Sequence, residues 1–194
     1  MPATRSDETG QLDELAGKLR EHALLEGDFV LRSGRRSSFY LDKYRFETQP
    51  ELLEPLGARL AAAAREFEPG AVRLAGPAVG AVALAAAASL ASGLPFLIVR
   101  PEAKAYGTAN RVEGPYEQGE LVCLIEDVVT SGGALAEAVK AVREAGLEVR
   151  NAVCVVDREE GGADALARLG VRLRALYTAG QLVPAVKDAA NPHG

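Results

Sequence analysis

From residue 71 onward, the sequence alternates short apolar runs with helical segments, and this alternation constrains the fold more than any other feature. The runs typical of strands are VRLAG, PFLIVR, LVCLIE and VRNAVCVV, and the helical segments are VALAAAASLA and LAEAVKAVREA. Parallel neighbouring strands need long crossover connections, which are usually helical. The pattern therefore predicts an α/β fold, with a mostly parallel twisted sheet flanked by helices over about residues 71–177.

The first 50 residues predict a smaller unit beside that sheet. Leucines and alanines at helical spacing over residues 11–25 predict an amphipathic helix that Gly27 ends. Residues 29–44 are interrupted by turn residues, which predicts a strand, a turn and a second strand. We expect a small N-terminal hood, made of a helix and a hairpin, within a single domain of 194 residues.

Composition limits the partners and the compartment. The chain has 22 basic and 27 acidic residues and a net charge of -5, so nothing draws it as a whole to nucleic acid or to an anionic membrane. Cys123 and Cys154 lie in apolar runs, and we expect them to be small core residues. The polar N-terminus lacks the order of a secretory signal, which predicts a soluble cytoplasmic protein.

The stretch LVCLIEDVVTSGGA, residues 121–134, predicts a ligand site. The strand is expected to end at Ile125, at the carboxyl edge of the sheet, where open α/β folds bind ligands. Glu126 and Asp127 would then accept hydrogen bonds from the vicinal hydroxyls of a ribose. The small and hydroxyl residues that follow would direct N–H groups and hydroxyls at a phosphate, at the start of a helix over residues 134–145. This pattern predicts a site for a phosphorylated ribose.

Other interpretations of this stretch are weaker. A plain strand-to-helix loop capped by Ser131 would need no ligand, but so long a pattern is hard to meet by chance. A Walker loop is excluded because no Gly-Lys-Ser/Thr follows. A dinucleotide fingerprint is excluded because glycines at the required spacing are missing after the strand.

Residues 121–134 resemble the phosphoribosyl-diphosphate-binding signature of the type I phosphoribosyltransferases, and within that superfamily the chain is most similar to the orotate phosphoribosyltransferases. Further elements follow the order of that family: the substrate segment FVLRSGRRSSFYLD, the diphosphate-side loop over residues 76–81, the mobile catalytic loop over residues 101–119, and the Asp-Arg element in VVDREEGG. The sequence departs from the usual family pattern at Arg32, Pro101 and Tyr106, where Lys, Lys and His are common.

The resemblance implies roles for individual residues. The residues expected to bind phosphoribosyl diphosphate are Arg32, Arg100, Lys104, Tyr106, Glu126, Asp127, Val128, Val129, Thr130, Ser131, Gly132, Gly133 and Ala134. Those expected to bind orotate are Phe39, Tyr40, Thr130 and Arg158. Those expected to carry catalysis are Lys104, Glu126 and Asp127.

The resemblance also implies the reaction and its partners. Orotate would attack the anomeric carbon of phosphoribosyl diphosphate and give orotidine monophosphate and diphosphate, a pentosyl transfer in the de novo biosynthesis of pyrimidines and UMP. Mg2+ is the expected cofactor, bound through the diphosphate and ribose without a direct protein ligand. The mobile loop would exclude water and reach a neighbouring subunit, so a homodimer with shared active sites is expected. Neither nucleic acid nor a membrane is an expected partner.

Two alternatives stay open. A type I phosphoribosyltransferase that acts on a purine or another pyrimidine would share the ribose-phosphate motif, although FVLRSGRRSSFYLD and VVDREEGG argue against it. A regulator that senses phosphoribosyl diphosphate would need a DNA-binding element, and the N-terminal part offers a helix, a hairpin and no basic surface.

Overall fold

The computed structural model describes residues 6–30, 36–102 and 110–183. Its helices are α1 (Ser6–Ala23), α2 (Tyr44–Glu47), α3 (Pro50–Phe67), α4 (Gly80–Ser92), α5 (Gly133–Glu144), α6 (Gly162–Ala167) and α7 (Ala179–Leu182). Its strands are β1 (Leu24–Val30), β2 (Arg36–Leu41), β3 (Arg73–Pro77), β4 (Phe96–Val99), β5 (Val112–Glu113), β6 (Leu121–Val129), β7 (Glu148–Asp157) and β8 (Arg172–Thr178). Within these ranges, no helix combines the length and the apolar character needed to cross a bilayer.

A six-stranded sheet forms the centre of the fold, with the strand order β5-β4-β3-β6-β7-β8. All of its pairings are parallel except that of β5 with β4. Both β6 and β7 are buried along nearly their whole length. This is the environment of parallel strands covered by helices on both faces, and it explains their unbroken apolar runs. The predicted α/β fold with a mostly parallel sheet is confirmed.

The order in which the chain adds strands to the sheet reverses between β3 and β6. From β3 the chain moves outward to β4, and it later crosses back to β6 on the other side of β3. In open α/β sheets, the crevice outside the carboxyl ends of two such strands is where ligands bind. Residues 77–80, after β3, and residues 130–133, after β6, therefore border the same crevice.

Side chains of β6 alternate between two apolar clusters on opposite faces of the sheet. Cys123 and Ile125 pack with residues of α3 and α4, whereas Val122 and Leu124 pack with residues of α5. Cys154 belongs to the second cluster, and both cysteines are buried and free. Burial raises the pKa of the Cys123 thiol to about 12, so this thiol is not poised for chemistry. The prediction that both cysteines are small core residues is confirmed.

The hood contains the predicted helix and antiparallel hairpin, but the boundary between them differs. α1 ends at Ala23, and Leu24 and Leu25 belong to β1, where they pair with β2. Pairing with β2 overrides the helical spacing of these leucines. Gly27, predicted to end the helix, lies inside β1 at a register shift. β2 ends at Leu41, so the end of the predicted second strand belongs instead to α2.

Two more boundaries differ from the prediction. β6 continues to Val129 instead of ending at Ile125, because residues 126–129 pair with β7. Residues 101–119, predicted to be irregular, contain β5, which pairs with β4 and buries Val112. The backbone N–H of Arg100 donates to the carbonyl of Arg111 at 2.7 Å, and this bond closes the base of the intervening segment.

Candidate active site

The candidate site lies at the carboxyl edge of the sheet, where the ends of β3, β4, β6 and β7 are neighbours. The loop after β3 is tied to β4 by a hydrogen bond of 2.7 Å from the N–H of Ala78 to the carbonyl of Val99. Arg100 follows β4 directly and is half-buried at the same edge. The ends of β6 and β7 are joined by a bond of 2.8 Å from the N–H of Arg158 to the carbonyl of Val129. These bonds tie the end of β3 to that of β4 and the end of β6 to that of β7.

Two acidic residues of β6 lie in the floor of this crevice. Glu126 is 7% exposed and Asp127 is 2% exposed. The Asp127 N–H donates to Oε1 of Glu126 at 3.0 Å, and the Val128 N–H donates to Oδ1 of Asp127. Burial, and then the nearby Asp127 charge, raise the pKa of Glu126. The two carboxyl groups are adjacent as predicted, but they belong to a buried strand rather than to the loop after it.

A lysine and a further glutamate from the hood complete this acidic group, which we call the carboxylate cluster: Lys43, Glu47, Glu126 and Asp127. The ammonium group of Lys43 donates to Oδ2 of Asp127 at 2.6 Å. Glu47 is 5% exposed and hydrogen-bonds to Asp127. Its Oε1 atom is buried without a hydrogen-bond partner among the described residues. Burial, followed by the hydrogen bond to Asp127, raises the pKa of Glu47.

The turn after β6 has the geometry of an anion site. Gly132 is the N-cap of α5 and has a φ of 78°, a left-handed conformation that favours glycine. Thr130, Ser131, Gly133 and Ala134 are exposed around the start of this 12-residue helix. Unpaired backbone N–H groups and the helix dipole attract anions at such a terminus. The prediction of a small-residue turn that begins a helix is confirmed, one residue earlier than expected.

Two glycines, Gly132 in the turn and Gly162 at the start of α6, allow close packing between these two segments. A Cβ atom placed on Gly162 would lie 2.6 Å from the carbonyl oxygen of Thr130 and 2.3 Å from Val129 Cγ1. A Cβ on Gly132 would lie 2.9 Å from the carbonyl oxygen of Gly162. Gly162, the second glycine of VVDREEGG, therefore allows α6 to pack directly against the turn over residues 130–133.

The Asp-Arg element after β7 faces the hood. The guanidinium carbon of Arg158 lies 6.0 Å from the centre of the Phe39 ring, within reach of a cation–π contact. Arg158 also pairs with Glu160 at 3.1 Å, and its side chain is 12% exposed. Arg158 and Phe39 line a small cavity of about 10 Å³ between the hood and the sheet. Two of the residues predicted to bind orotate are thus brought together at one point.

Tyr40 and Val129, which were also predicted as site residues, do not line this cavity. The ring of Tyr40 lies 5.6 Å from Phe29, and since neighbouring residues of a strand point to opposite faces, it points away from Phe39. Val129 is 2% exposed and packs in the core, so its backbone is the part that can face a ligand. Three predicted residues lie outside the described ranges: Arg32, Lys104 and Tyr106.

Sequence reasoning missed two members of the carboxylate cluster. The sequence pattern did not indicate Lys43 or Glu47 as site residues. A signal existed in their spacing, because residues four apart lie on the same side of a helical turn and Lys43 precedes α2 directly. Gly80, where a Cβ would lie 1.9 Å from Asp127 Oδ2, was expected only as part of the diphosphate-side loop.

The residues of the site do not form a protein cage for a metal ion. Across the described parts of the chain, no His, Cys, Asp and Glu side chains are grouped so that they could hold one. At Asp127, the ammonium group of Lys43 lies where a cation would otherwise bind. This arrangement fits a metal ion that is held mainly by oxygens of a substrate and by water.

Fold and site together define the type I phosphoribosyltransferase class: a parallel sheet with a hood, and an acidic strand end followed by a small-residue turn. No protein-family model matches the chain. It is 45% identical over 171 residues to orotate phosphoribosyltransferase of Methanocella arvoryzae, covering 88% of this chain and 96% of that protein. The chain belongs to the orotate phosphoribosyltransferase family.

Solved structures agree with this assignment. Orotate phosphoribosyltransferase from Aeropyrum pernix matches with a TM-score of 0.78 and 36% identity, covering 87% of this chain and 95% of that one. The Mycobacterium tuberculosis enzyme, solved in complex with 5-phospho-alpha-D-ribosyl 1-diphosphate, matches with a TM-score of 0.71 and 28% identity, covering 88% and 98%.

Proposed function

We propose that this protein transfers the phosphoribosyl group of phosphoribosyl diphosphate to orotate, and so produces orotidine monophosphate and diphosphate for pyrimidine biosynthesis. The observation that carries the proposal is the juxtaposition of a buried carboxylate pair, Glu126 and Asp127, with the exposed N-terminal turn of α5. The carboxylate pair suits the ribose hydroxyls of the donor, and the N-terminal turn of α5 suits its 5-phosphate. Family membership supports orotate as the acceptor.

In this proposal, the phosphate binds at the turn over residues 130–134. The exposed hydroxyls of Thr130 and Ser131 can donate to phosphate oxygens, and the backbone N–H groups at the start of α5 add further donors. Because Gly162 supports the Thr130 carbonyl from behind, the turn is held in shape before the substrate arrives. A preformed site loses less conformational entropy when it binds its ligand.

Transfer builds positive charge on the ribose as the diphosphate leaves. Asp127 supplies negative charge on the ribose side, with the Glu126 carboxyl beside it, and a fixed charge in a water-poor site stabilises a transition state strongly. Mg2+ is the proposed cofactor and would neutralise the leaving diphosphate when it is bound. Arg100 would add positive charge at the same edge of the sheet, and Lys104 would act from the catalytic loop.

The base would bind between the hood and the end of β7. Arg158 carries a planar guanidinium group that matches the carboxylate of orotate, and Phe39 offers a ring face beside it. Glu160 now holds Arg158, so orotate would compete with this carboxylate for the guanidinium group. An anionic base would gain more from this exchange than a neutral purine.

Arg158→Ala should raise the Michaelis constant for orotate by roughly tenfold to a hundredfold, because a charge-assisted hydrogen-bonding partner contributes on the order of 2 to 3 kcal/mol. Binding of phosphoribosyl diphosphate should stay near normal, since the phosphate turn belongs to another strand end. The assay is the ultraviolet absorbance change of orotate on conversion. Arg150→Ala is the matched control, as this exposed arginine of β7 pairs with Glu148 away from the site. An unchanged orotate constant with lower thermal stability would make Arg158 a structural residue.

The two free, buried thiols suit a reducing environment, which supports the cytoplasm as the compartment. We further propose a homodimer in which residues 101–119 of one subunit cover the site of the other. Mixing Lys104→Ala subunits with Asp127→Asn subunits should then restore part of the activity. In hybrids, one of the two sites draws both intact residues from different chains. Subunit exchange is followed separately by mass spectrometry of a labelled subunit. Proven exchange without recovered activity would contradict shared sites.

A further inference from the structure

Lys43 connects the hood to the floor of the site. Its ammonium group lies 2.6 Å from Oδ2 of Asp127, a contact between residues 84 positions apart in the sequence. The Asp127 side chain is 3% exposed, whereas that of Lys43 is 34% exposed. The lysine therefore contacts one oxygen of the carboxylate from a partly exposed position. Such a contact is not the weak surface ion pair that solvent screens, because one partner is fully enclosed.

The start of α4 lies directly against this ion pair. A Cβ atom placed on Gly80 would lie 1.9 Å from Asp127 Oδ2 and 2.5 Å from Lys43 Nζ. The other carboxylate oxygen, Oδ1, accepts the backbone N–H of Val128. The orientation of the Asp127 carboxylate is thus fixed by a lysine on one oxygen, a backbone N–H on the other and the start of α4 beside both.

We infer that Lys43 is a positioning residue for the transfer reaction, which orients the Asp127 carboxylate toward the ribose without itself binding the substrate. This inference rests on the proposed function, since it assigns the ribose to Asp127. Orientation matters because a carboxylate that is turned away from the ribose loses most of its effect on the developing charge.

The charges that face Lys43 come from two elements. Glu47 belongs to α2, and Glu126 and Asp127 belong to β6. Burial raises the pKa values of Glu47 and Glu126, and the positive charge of Lys43 opposes that increase. For Lys43 itself, burial acts against the charge, but the hydrogen bond to Asp127 raises its pKa. The lysine therefore stays charged and favours ionised carboxylates.

Lys43→Met should lower kcat by roughly tenfold to a hundredfold, the effect of losing one hydrogen bond to a charged group. The Michaelis constant for phosphoribosyl diphosphate should change by less than about threefold, because the lysine is not a substrate ligand. Lys43→Arg should recover part of the loss, since it retains the charge. Lys140→Met is the control, as Lys140 is exposed on α5 and pairs with Glu137. It should behave as the unaltered protein.

A double-mutant cycle separates positioning from direct substrate binding. In the Asp127→Asn background, Lys43→Met should cost almost nothing more, because the carboxylate it positions is already lost. Affinity for inorganic diphosphate, measured by calorimetry, should be the same with and without Lys43. An undiminished additional loss in the Asp127→Asn background, together with weaker diphosphate binding, would overturn the inference and make Lys43 a substrate ligand.

The pH dependence of kcat/KM provides a readout that a merely structural role would not change. Without Lys43, the cluster should hold its protons to higher pH, so the acidic limb of the profile should move to higher pH and activity should recover in alkaline buffer. Glu47→Gln removes a negative charge and should move that limb to lower pH. If the unaltered protein converts orotate but both variants keep its profile and its kcat, the inference fails while the proposed function stands. If the unaltered protein does not convert orotate, the proposed function itself fails.

Discussion

Asp127→Asn should lower kcat by roughly a hundredfold to a thousandfold, the range found when a fixed charge that stabilises a transition state is removed. The amide keeps the shape of the carboxylate, and Val128 can still donate to its oxygen. Lys43 loses its partner but is one-third exposed, so its ammonium group can turn to water. The fold should therefore remain intact, and the loss should be seen in turnover.

The measurement is a steady-state assay with orotate, accompanied by circular dichroism and thermal unfolding of the same sample. Glu148→Gln is the matched control, because it makes the same carboxylate-to-amide change at the opposite end of the sheet, where β7 begins. Glu148 pairs with exposed Arg150 and should be neutral to activity. A folded Asp127→Asn protein with unaltered turnover would remove Asp127 from the mechanism.

Gly80→Ala should reduce kcat by about a hundredfold although it adds one methyl group. The new Cβ would overlap Asp127 Oδ2, which lies 1.9 Å away, so the ion pair with Lys43 must open. Neither side can easily yield, because Gly80 begins α4 and Asp127 lies within a buried strand. A packed interior passes such an overlap on as displaced side chains. Alanine keeps the backbone N–H at position 80. The expected loss of kcat would therefore result from the volume of the added methyl group and not from a missing hydrogen-bond donor.

Gly17→Ala is the control for this substitution. Gly17 lies in α1, and a Cβ there would have nothing within 4 Å. Alanine should leave kcat unchanged and add about 0.5–1 kcal/mol to the free energy of unfolding, since it favours a helix more than glycine does. Urea unfolding of both variants, with the assay, completes the comparison. Unimpaired turnover in Gly80→Ala would show that the Asp127–Lys43 pair can rearrange without cost.

Some of the site could be predicted from the sequence because its signals are local. The turn over residues 130–133 is encoded by small residues at consecutive positions, so the start of α5 followed from the chain itself. The alternation of apolar runs likewise gave the parallel sheet, since buried parallel strands carry few polar residues. By contrast, the end of β6 was placed too early, because two acidic residues look like the start of a loop when their pairing with β7 is unknown.

The carboxylate cluster could not be predicted in the same way. Lys43 and Asp127 come together because α2 packs at the end of β6, and no periodicity in the chain carries that information. Gly80 has no positive φ that would mark it, and its role follows entirely from the carboxylate beside it. The meeting of Arg158 with Phe39 was expected through the family resemblance, and spacing alone would not have revealed it.

The contact between Gly162 and the phosphate-side turn has an evolutionary consequence. Because α6 begins against the carbonyl of Thr130, the chain length between Arg158 and Gly162 is fixed by the turn of another strand. An insertion there would push on the turn over residues 130–133, which we propose holds the donor's phosphate. If the base binds beside Arg158 and Phe39 as we propose, a change of acceptor base is expected to come from exchanged side chains there rather than from a changed length of this segment.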